Sequence, residues 1–327
     1  MCFLRSKEMP YDYHHQILSH IFPIGVSYNQ PRFDANTTWN PNATTVIRMN
    51  TTVGVWTPGV FVNSNNTVYL ADQTHQVIHV WPEGSSGPTR NISAPDIYRF
   101  SIFVSMQEEI FMYGSNQSLN PIYKWMKNST SSVTVMSSAP SCFALFIDTN
   151  NTLYCSISAR HQVSKGSLVG GPLVLSVTAG NGSNGSGLMQ LNSPRGIFVN
   201  TNFSLYVADS GNNRIQHFVA GQPNGITVAG IGAPGTVNLS SPFAVVLDGD
   251  GYLFIADTNN NRIVGSGPYG FRCVAGCSGF GGSAPDRLGT PYMLSFDGYG
   301  NIYVTDTGNR RVQKFIIRSS TVGKYTK

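Results

Sequence analysis

One phrase recurs along the chain, and this repetition limits the fold more than any other feature of the sequence. Three clear copies read LYVADSGNNRI (205–215), LFIADTNNNRI (253–263) and IYVTDTGNRRV (302–312), and an earlier copy reads VYLADQTHQVI (68–78). Two weaker copies read IFMYG (110–114) and LYCSISARHQV (153–163). The aromatic residue at the second place of each copy recurs after 42, 43, 52, 48 and 49 residues. Six copies at this period predict a β-propeller, whose blades take about 40–50 residues each.

Each copy lies in a unit that carries the signals of four short strands. Around Tyr206, an apolar run at 196–199 precedes the repeated phrase, and two further strand-like segments follow at 214–218 and 226–229. Polar, Asn- and Gly-rich turns separate these segments, and no long segment has the apolar spacing of a helix. The sequence therefore predicts an all-β, six-bladed propeller of four-stranded blades with almost no helix.

The ends of the chain predict how the ring closes. The last unit supplies three strands and then the chain stops, whereas the segment ATTVIR at 43–48 precedes the first unit and resembles a fourth strand. A ring avoids long exposed edges only when it is closed. We therefore expect residues 43–48 to complete the sixth blade, with residues 1–38 as an irregular arm, 39–318 as one propeller and 319–327 as a tail.

The three clear copies resemble a known repeat family. The pattern Pro-x-Gly-Ile-Phe-Val…Leu-Tyr-Val-Ala-Asp-Ser-Gly-Asn-Asn-Arg-Ile-Gln at 194–216 looks like an NHL repeat, and 242–264 and 291–313 are similar. The resemblance covers roughly residues 55–318 and is weak in the second and third units. It implies a β-propeller, commonly of six blades.

Acidic and basic residues recur at fixed places in the better units. An Asp ends the second strand in four units, and an Arg follows five residues later in three of them: Asp72, Asp209, Asp257, Asp306, Arg214, Arg262 and Arg311. A catalytic site needs different roles rather than identical ones. We therefore expect each Asp to accept backbone N–H groups of its own loop, with the Arg fixing that loop through an ion pair.

Metal chemistry has weak support in the sequence. The segment DGDG at 248–251 lacks the closing Glu of a calcium loop and sits where other units have a turn. A zinc-dependent lyase of the peptide-amidating type uses a similar six-bladed propeller, but none of the seven histidines falls on a predicted inner strand. The sequence predicts no metal, no cofactor and no catalytic residue, and a chain that is not an enzyme.

Potential N-glycosylation sites are more frequent than chance predicts. Twelve asparagines stand in N-x-Ser/Thr sequences: Asn36, Asn42, Asn50, Asn65, Asn91, Asn116, Asn128, Asn150, Asn181, Asn184, Asn202 and Asn238. The chain's 28 Asn and 59 Ser plus Thr would produce about five by chance. Three of them occupy the same turn in three units. We expect this turn to be exposed, as a glycan acceptor must be. The excess indicates an extracellular protein.

The cysteines give weaker support for the same compartment. Cys273 and Cys277 flank three residues, which favours a local disulfide over zinc. Cys142 and Cys155 lie on adjacent predicted strands, although Leu145 rather than Cys142 is predicted opposite Cys155. A secreted protein should carry a signal peptide, but residues 1–25 do not resemble one. From the acceptor sequences and the cysteines we nevertheless expect an extracellular or secreted protein, with a misplaced start or as the ectodomain of a longer chain.

Three functions remain compatible with these observations. The first is a non-enzymatic scaffold that binds a protein or a glycan through the longest predicted loops, at about 179–193, 230–241 and 275–290. The second is an intracellular NHL module that binds RNA or protein, as in TRIM-type ubiquitin ligases. A net charge of +5 is compatible with RNA, but Lys and Arg are spread along the chain, so nucleic acid is not expected. The third is the zinc lyase. The sequence contains no run of 18 apolar residues, so it predicts no membrane-spanning helix.

Overall fold

The computed structural model describes residues 26, 28–48, 59–94, 97–114, 119–233, 235 and 237–319. These residues form six antiparallel sheets of four strands and one short two-stranded sheet. Their only helical segments are four 3₁₀ turns, at Ser158–Arg160, Ser210–Asn212, Thr258–Asn260 and Thr307–Asn309. The predicted all-β propeller of six four-stranded blades is confirmed.

The strands of each blade follow one another from the central channel outward. Blade 1 contains Gly59–Val62, Val68–Asp72, Val77–Trp81 and Arg90–Ser93. Blade 2 contains Ile97–Val104, Ile110–Gly114, Ile122–Trp125 and Ser132–Met136. Blade 3 contains Ala144–Ile147, Thr152–Ile157, Gln162–Ser167 and Ser176–Ala179. Blades 4 and 5 contain Pro194–Val199, Leu205–Asp209, Arg214–Phe218 and Gly225–Gly230; and Pro242–Leu247, Leu253–Asp257, Arg262–Gly265 and Arg272–Ala275.

The sixth blade closes the ring with a strand from the start of the chain. Its first three strands are Pro291–Phe296, Ile302–Asp306 and Arg311–Phe315, and Thr44–Arg48 pairs antiparallel with the third. This confirms the closure predicted for residues 43–48. A second, shorter pairing joins Thr38–Trp39 to Ile317–Ser319.

The inner strands are apolar because both of their faces are covered. Every residue of Gly59–Val62 and of Ala144–Ile147 is buried, as the continuous hydrophobic runs of the sequence require. Phe103 packs against Phe61 and Phe146, and Phe146 packs against Phe198, with ring centroids 5.0–5.2 Å apart. The channel is therefore filled with side chains around much of its circumference.

An irregular segment, residues 28–33, lies across one end of this channel. The Tyr28 ring packs on Phe146 and Phe198, and its hydroxyl donates to the carbonyl of Val199 at 3.2 Å. Asn29 Nδ2 donates to the carbonyls of Asn63 and Phe296, at 2.8 and 3.0 Å, so it joins blades 1 and 6. The segment covers the end at which the inner and second strands are connected, here called the turn face.

The loops that lead into the inner strands lie at the opposite end, here called the loop face. They include the three long loops predicted to bind a partner, because antiparallel strands within a blade alternate their connections between the two ends. The same face carries the connections between second and third strands, with their 3₁₀ turns.

Candidate binding site

Asp209 and Arg214 hold the loop that leads into blade 4. Arg214 Nε donates to Asp209 Oδ2 at 2.7 Å, and its two Nη atoms donate to the carbonyls of Ser186, Gly187 and Gln190. Asp209 Oδ1 accepts the backbone N–H of Asn192 at 2.6 Å. Burial raises the pKa of the Asp209 carboxyl, against the opposing effect of these donors. The pair therefore fixes the loop to the blade through buried polar contacts.

Blades 5 and 6 repeat this arrangement with their own loops. Arg262 Nε lies 2.8 Å from Asp257 Oδ2 and its Nη2 donates to the carbonyl of Asn238. In blade 6, Arg311 Nε lies 2.6 Å from Asp306 Oδ2 and its guanidinium reaches the carbonyls of Ser283, Ala284 and Arg287. The backbone donors to Asp257 and Asp306 are Ser240 and Gly289. In these three blades each Asp thus accepts an N–H of the loop before its blade, not of its own loop as the sequence analysis expected.

In blades 4, 5 and 6 the Asp–Arg pair occurs together with a long loop before the blade. The loops into blades 4, 5 and 6 are the three long ones, whereas blade 3, which has a short loop at 137–143, carries Ile157 and Gln162 at the two corresponding places. A long loop exposes more backbone groups that need partners. We infer that the Asp–Arg pair stabilises the loop that precedes its blade.

Asp72 in blade 1 differs because no Arg follows it. Its Oδ1 accepts the backbone N–H groups of Thr74 and His75, and its Oδ2 lies 2.7 Å from His75 Nδ1 and 3.5 Å from His79 Nε2. Although burial acts to raise it, the contacts of His79 and His75 lower the pKa of Asp72. The hydrogen bond to Asp72 raises the pKa of His79 in return. Two histidines thus replace the arginine.

The other described histidines have structural contacts. His161 Nδ1 accepts the backbone N–H of Ser193 at 3.1 Å, and His217 stacks on Tyr206 with centroids 4.4 Å apart. In the part of the chain that the structure describes, no three His, Cys, Asp or Glu side chains come together as a metal-binding group.

The segment 248–251 forms a turn. Asp248 Oδ1 accepts the backbone N–H groups of Asp250 and Tyr252, as Asp148 and Asp297 do in their own turns. Gly251 has a φ of 86°, which glycine adopts without the strain of a side chain. The carboxylate is therefore used for the turn, in agreement with the sequence interpretation.

The predicted glycosylation sites are accessible wherever the structure describes them. Asn50 and Asn116 lie outside the described residues; the ten others are all exposed. Asn65, Asn150 and Asn202 occupy the turn between inner and second strands in blades 1, 3 and 4. Asn181, Asn184 and Asn238 lie in the loops into blades 4 and 5. Exposure is the condition that a glycan acceptor must meet.

Both predicted cysteine pairs are disulfide-bonded. Cys142 and Cys155 join two buried positions of blade 3 with a Cα–Cα distance of 5.3 Å, although Leu145 is the residue opposite Cys155, as predicted. Cys273 and Cys277 join the outer strand of blade 5 to the following loop, with a Cα–Cα distance of 5.7 Å. Disulfides persist in oxidising compartments, so they indicate an environment other than the cytoplasm.

The three long loops expose large apolar side chains on one face. Leu188 and Met189 lie in the loop into blade 4, Ile231 in the loop into blade 5, and Phe280 in the loop into blade 6, where it is 73% exposed. Next to these loops, the guanidinium of Arg195 lies between the rings of Phe143 and Phe243, 5.0 and 4.6 Å from their centroids. Sequence reasoning selected the loops by length, but did not identify these side chains. Their position in loops otherwise rich in Gly, Asn and Ser was the available signal.

Comparison with known proteins identifies one repeat and many similar folds. The NHL repeat family matches residues 191–218. No curated protein matches the chain. A protein of unknown function from Bacteroides thetaiotaomicron is similar in structure, with a TM-score of 0.64 and 14% identity over 90% of this chain and 76% of that one.

Two other similar structures are enzymes. A catalytically inactive variant of virginiamycin B lyase from Staphylococcus aureus has a TM-score of 0.56 and 12% identity over 82% of each chain. A gluconolactonase from Xanthomonas campestris has a TM-score of 0.59 and 13% identity over 91% of this chain and 99% of that one.

These structures correct the interpretation that the chain is not an enzyme. That interpretation rested on the identical Asp and Arg residues of the units and on the absence of histidines from the predicted inner strands. It was wrong, because propellers of similar structure include a lyase and a gluconolactonase. At 12–14% identity the likeness shows the fold alone, so it gives this chain no reaction. The match at residues 191–218, the similar sequences in blades 5 and 6 and the closed six-bladed ring support the resemblance to NHL-repeat β-propellers.

Proposed function

We propose that the chain is an extracellular, N-glycosylated propeller that binds a protein partner through the loops into blades 4, 5 and 6. The observation that carries this proposal is the exposure of large apolar side chains on three loops with fixed backbones. Mobile loops lose conformational entropy when they bind, whereas loops held by Asp–Arg pairs have already lost it. Exposed apolar side chains gathered on one face are typical of protein interfaces and are less suited to a glycan.

The potential glycans divide this surface. Asn181, Asn184 and Asn238 lie in the first two loops, and occupied sites there would restrict the approach of a large partner. No acceptor sequence occurs after Asn238, so blade 5 and the loop at 275–290 contain none. We place the centre of the partner surface at Phe280.

The compartment is tested by secretory expression behind an added signal peptide. We expect the intact mass to fall by several N-glycans after enzymatic removal, and a peptide map to contain both disulfides in oxidised form. An unglycosylated or reduced product would overturn the extracellular assignment. The intracellular interpretation, with RNA or protein as partner, would then become the leading one, and a salt-dependent affinity for RNA would distinguish its two forms.

The partner surface is tested by site-specific photocrosslinking on intact cells of the source organism. A photoreactive amino acid at Phe280 is compared with the same residue at Tyr299, which is 59% exposed on the turn face. We expect a discrete protein adduct from Phe280 alone, and its loss when Ile231 is changed to Ser. Equal adducts from both positions would contradict binding at the loop face. An adduct that an endoglycosidase releases would show that the crosslink joins Phe280 to a glycan rather than to a protein, and would contradict a protein-binding loop face.

A further inference from the structure

Three blades place a lysine over the aromatic ring of the repeated phrase. The lysine comes from the third strand and lies 5.0–6.0 Å from the ring centroid in the pairs Lys124–Phe111, Lys165–Tyr154 and Lys314–Tyr303. In blade 6 the same ammonium also reaches the turn before the second strand, where Lys314 Nζ lies 3.1 Å from Asp297 Oδ2. Blade 6 thus holds an ammonium between a buried carboxylate and an aromatic face, a favourable setting for a cation.

Blade 5 has the same carboxylate and ring but lacks the lysine. Gly265 is paired with Phe254 in the register in which Lys314 is paired with Tyr303. Asp248 occupies the place of Asp297 and is only 1% exposed. Its Oδ1 accepts two backbone N–H groups, but its Oδ2 is buried and has no hydrogen-bond partner among the described residues. A buried carboxylate oxygen without a donor is costly, and burial raises the pKa of Asp248 to about 6.

A cavity lies beside these residues of blade 5. Its volume is about 90 Å³, and Asp248, Phe254 and Gly265 line it together with Phe33 and Trp39, which precede the first blade. This volume exceeds the roughly 10–15 Å³ that one water molecule requires, so a larger group has room. Tyr269 also lines the cavity and is 86% exposed, which places an opening to solvent at that side.

The charges around the cavity leave the carboxylate without a counter-ion. Arg272 lines the cavity, but its guanidinium donates to the carbonyls of Ala35 and Thr37. Arg32 lies 3.5 Å from Asp250, the exposed carboxylate of the same turn. Among the described residues no cation forms an ion pair with Asp248.

We propose that this cavity binds a primary alkylammonium group, with Asp248 as its counter-ion and the Phe254 ring as its cation–π surface. The ligand supplies from outside what Lys314 supplies within blade 6. A lysine side chain of a partner protein and a small free amine share this chemistry. The site is separate from the loop face, so this proposal does not depend on the proposed protein-binding surface.

The proposal is tested by NMR titration of the folded, secreted protein at pH 7.5. The probes are the lysine mimic Nα-acetyl-lysine methylamide, its neutral counterpart Nα-acetyl-norleucine methylamide, and butylammonium chloride. We expect saturable binding of the lysine mimic, at least tenfold tighter than that of the norleucine compound. Tighter binding of butylammonium than of the mimic would assign the site to free amines, and the reverse order to lysine side chains. Equal binding of the charged and neutral probes would overturn the proposal.

Two substitutions and one control make the result specific. Asp248→Asn keeps the acceptor of the turn, as Asn63 and Asn200 do in blades 1 and 4, and should weaken amine binding at least tenfold. Gly265→Lys should place a lysine as blade 6 does and block the cavity, provided that the Val274 side chain moves from its position 2.7 Å from the new Cβ. Asp250→Asn changes the neighbouring exposed carboxylate and should leave binding within twofold. Undiminished binding by Asp248→Asn would exclude this site.

Discussion

Arg214 Nε lies 2.7 Å from Asp209 Oδ2, and the same guanidinium donates to three carbonyl oxygens of the loop that leads into blade 4. One side chain therefore joins the repeated phrase of the blade to a loop some 25 residues earlier in the chain. The repetition of this pair in blades 5 and 6 means that the proposed partner surface is fixed by residues of the repeat, although its exposed side chains lie outside the repeat.

Removal of these arginines should destabilise the protein according to their burial. We expect Arg214→Met to lower the free energy of unfolding by ~3–5 kcal/mol, because it leaves Asp209 buried without its cation. Arg262→Met should lower the free energy of unfolding by less, because the Arg262 side chain is 28% exposed and reaches fewer carbonyls. Urea denaturation of the two variants checks this order. Equal losses, or none, would contradict a buried ion pair that fixes the loop.

The two disulfides should differ in their accessibility to reductant. Cys142 and Cys155 are both completely buried, whereas Cys277 is exposed. Because thiol–disulfide exchange requires access to a sulfur atom, a mild reductant should open the Cys273–Cys277 bond first in the folded protein. Alkylation followed by peptide mass spectrometry measures this order. Double Ala substitution of Cys142 and Cys155 should lower the free energy of unfolding by ~3 kcal/mol, and that of Cys273 and Cys277 by ~2 kcal/mol. The first disulfide contributes more because it closes the longer loop. Simultaneous reduction of both bonds would contradict the burial of blade 3.

The segment across the channel should contribute to stability through the Tyr28 ring more than through its hydroxyl. Tyr28→Phe removes one hydrogen bond to Val199 and should cost about 1 kcal/mol. Tyr28→Ala also removes the contacts with Phe146 and Phe198 and should cost about 3 kcal/mol. Thermal unfolding of the two variants compares these effects. If Tyr28→Ala behaves as Tyr28→Phe does, the ring does not pack in the channel as described.

The sequence predicted the ring because its evidence is periodic. The six copies specify the blades, and the unpaired segment at 43–48 specifies the closure, since both follow from local patterns repeated along the chain. Even the register of Leu145 opposite Cys155 could be predicted, because strand alternation fixes it within one hairpin.

The contacts between distant segments could not be predicted in this way. The position of Tyr28 depends on three-dimensional packing, and nothing in residues 1–35 is periodic. The sequence also assigned the backbone partners of Asp209 to its own loop, because only the folded loop brings Asn192 to the carboxylate. The proposed site in blade 5 depends on Gly265. The absence of a lysine at this position is recognised only when the pairing of Gly265 with Phe254 is compared with that of Lys314 with Tyr303.

Asp248 should make the protein less stable as the pH rises. Its carboxyl has a pKa of about 6 in the folded protein against 3.8 when unfolded. The folded state therefore binds its proton more tightly than the unfolded state does. The stability that this group contributes is complete below about pH 4 and is lost as the pH rises through about 6. A difference of about two units corresponds to ~3 kcal/mol.

The substitution Asp248→Asn isolates this contribution, because the other buried carboxylates are the same in both proteins. We expect the Asn variant to be more stable than the wild type at pH 7.5 and the difference to shrink towards pH 4. Urea denaturation from pH 4 to 8 measures both curves. A saturating alkylammonium ligand should remove much of the difference at pH 7.5, since it binds the ionised carboxylate of the folded wild type. Parallel curves for the two proteins would mean that Asp248 is already neutralised by a group of the protein itself.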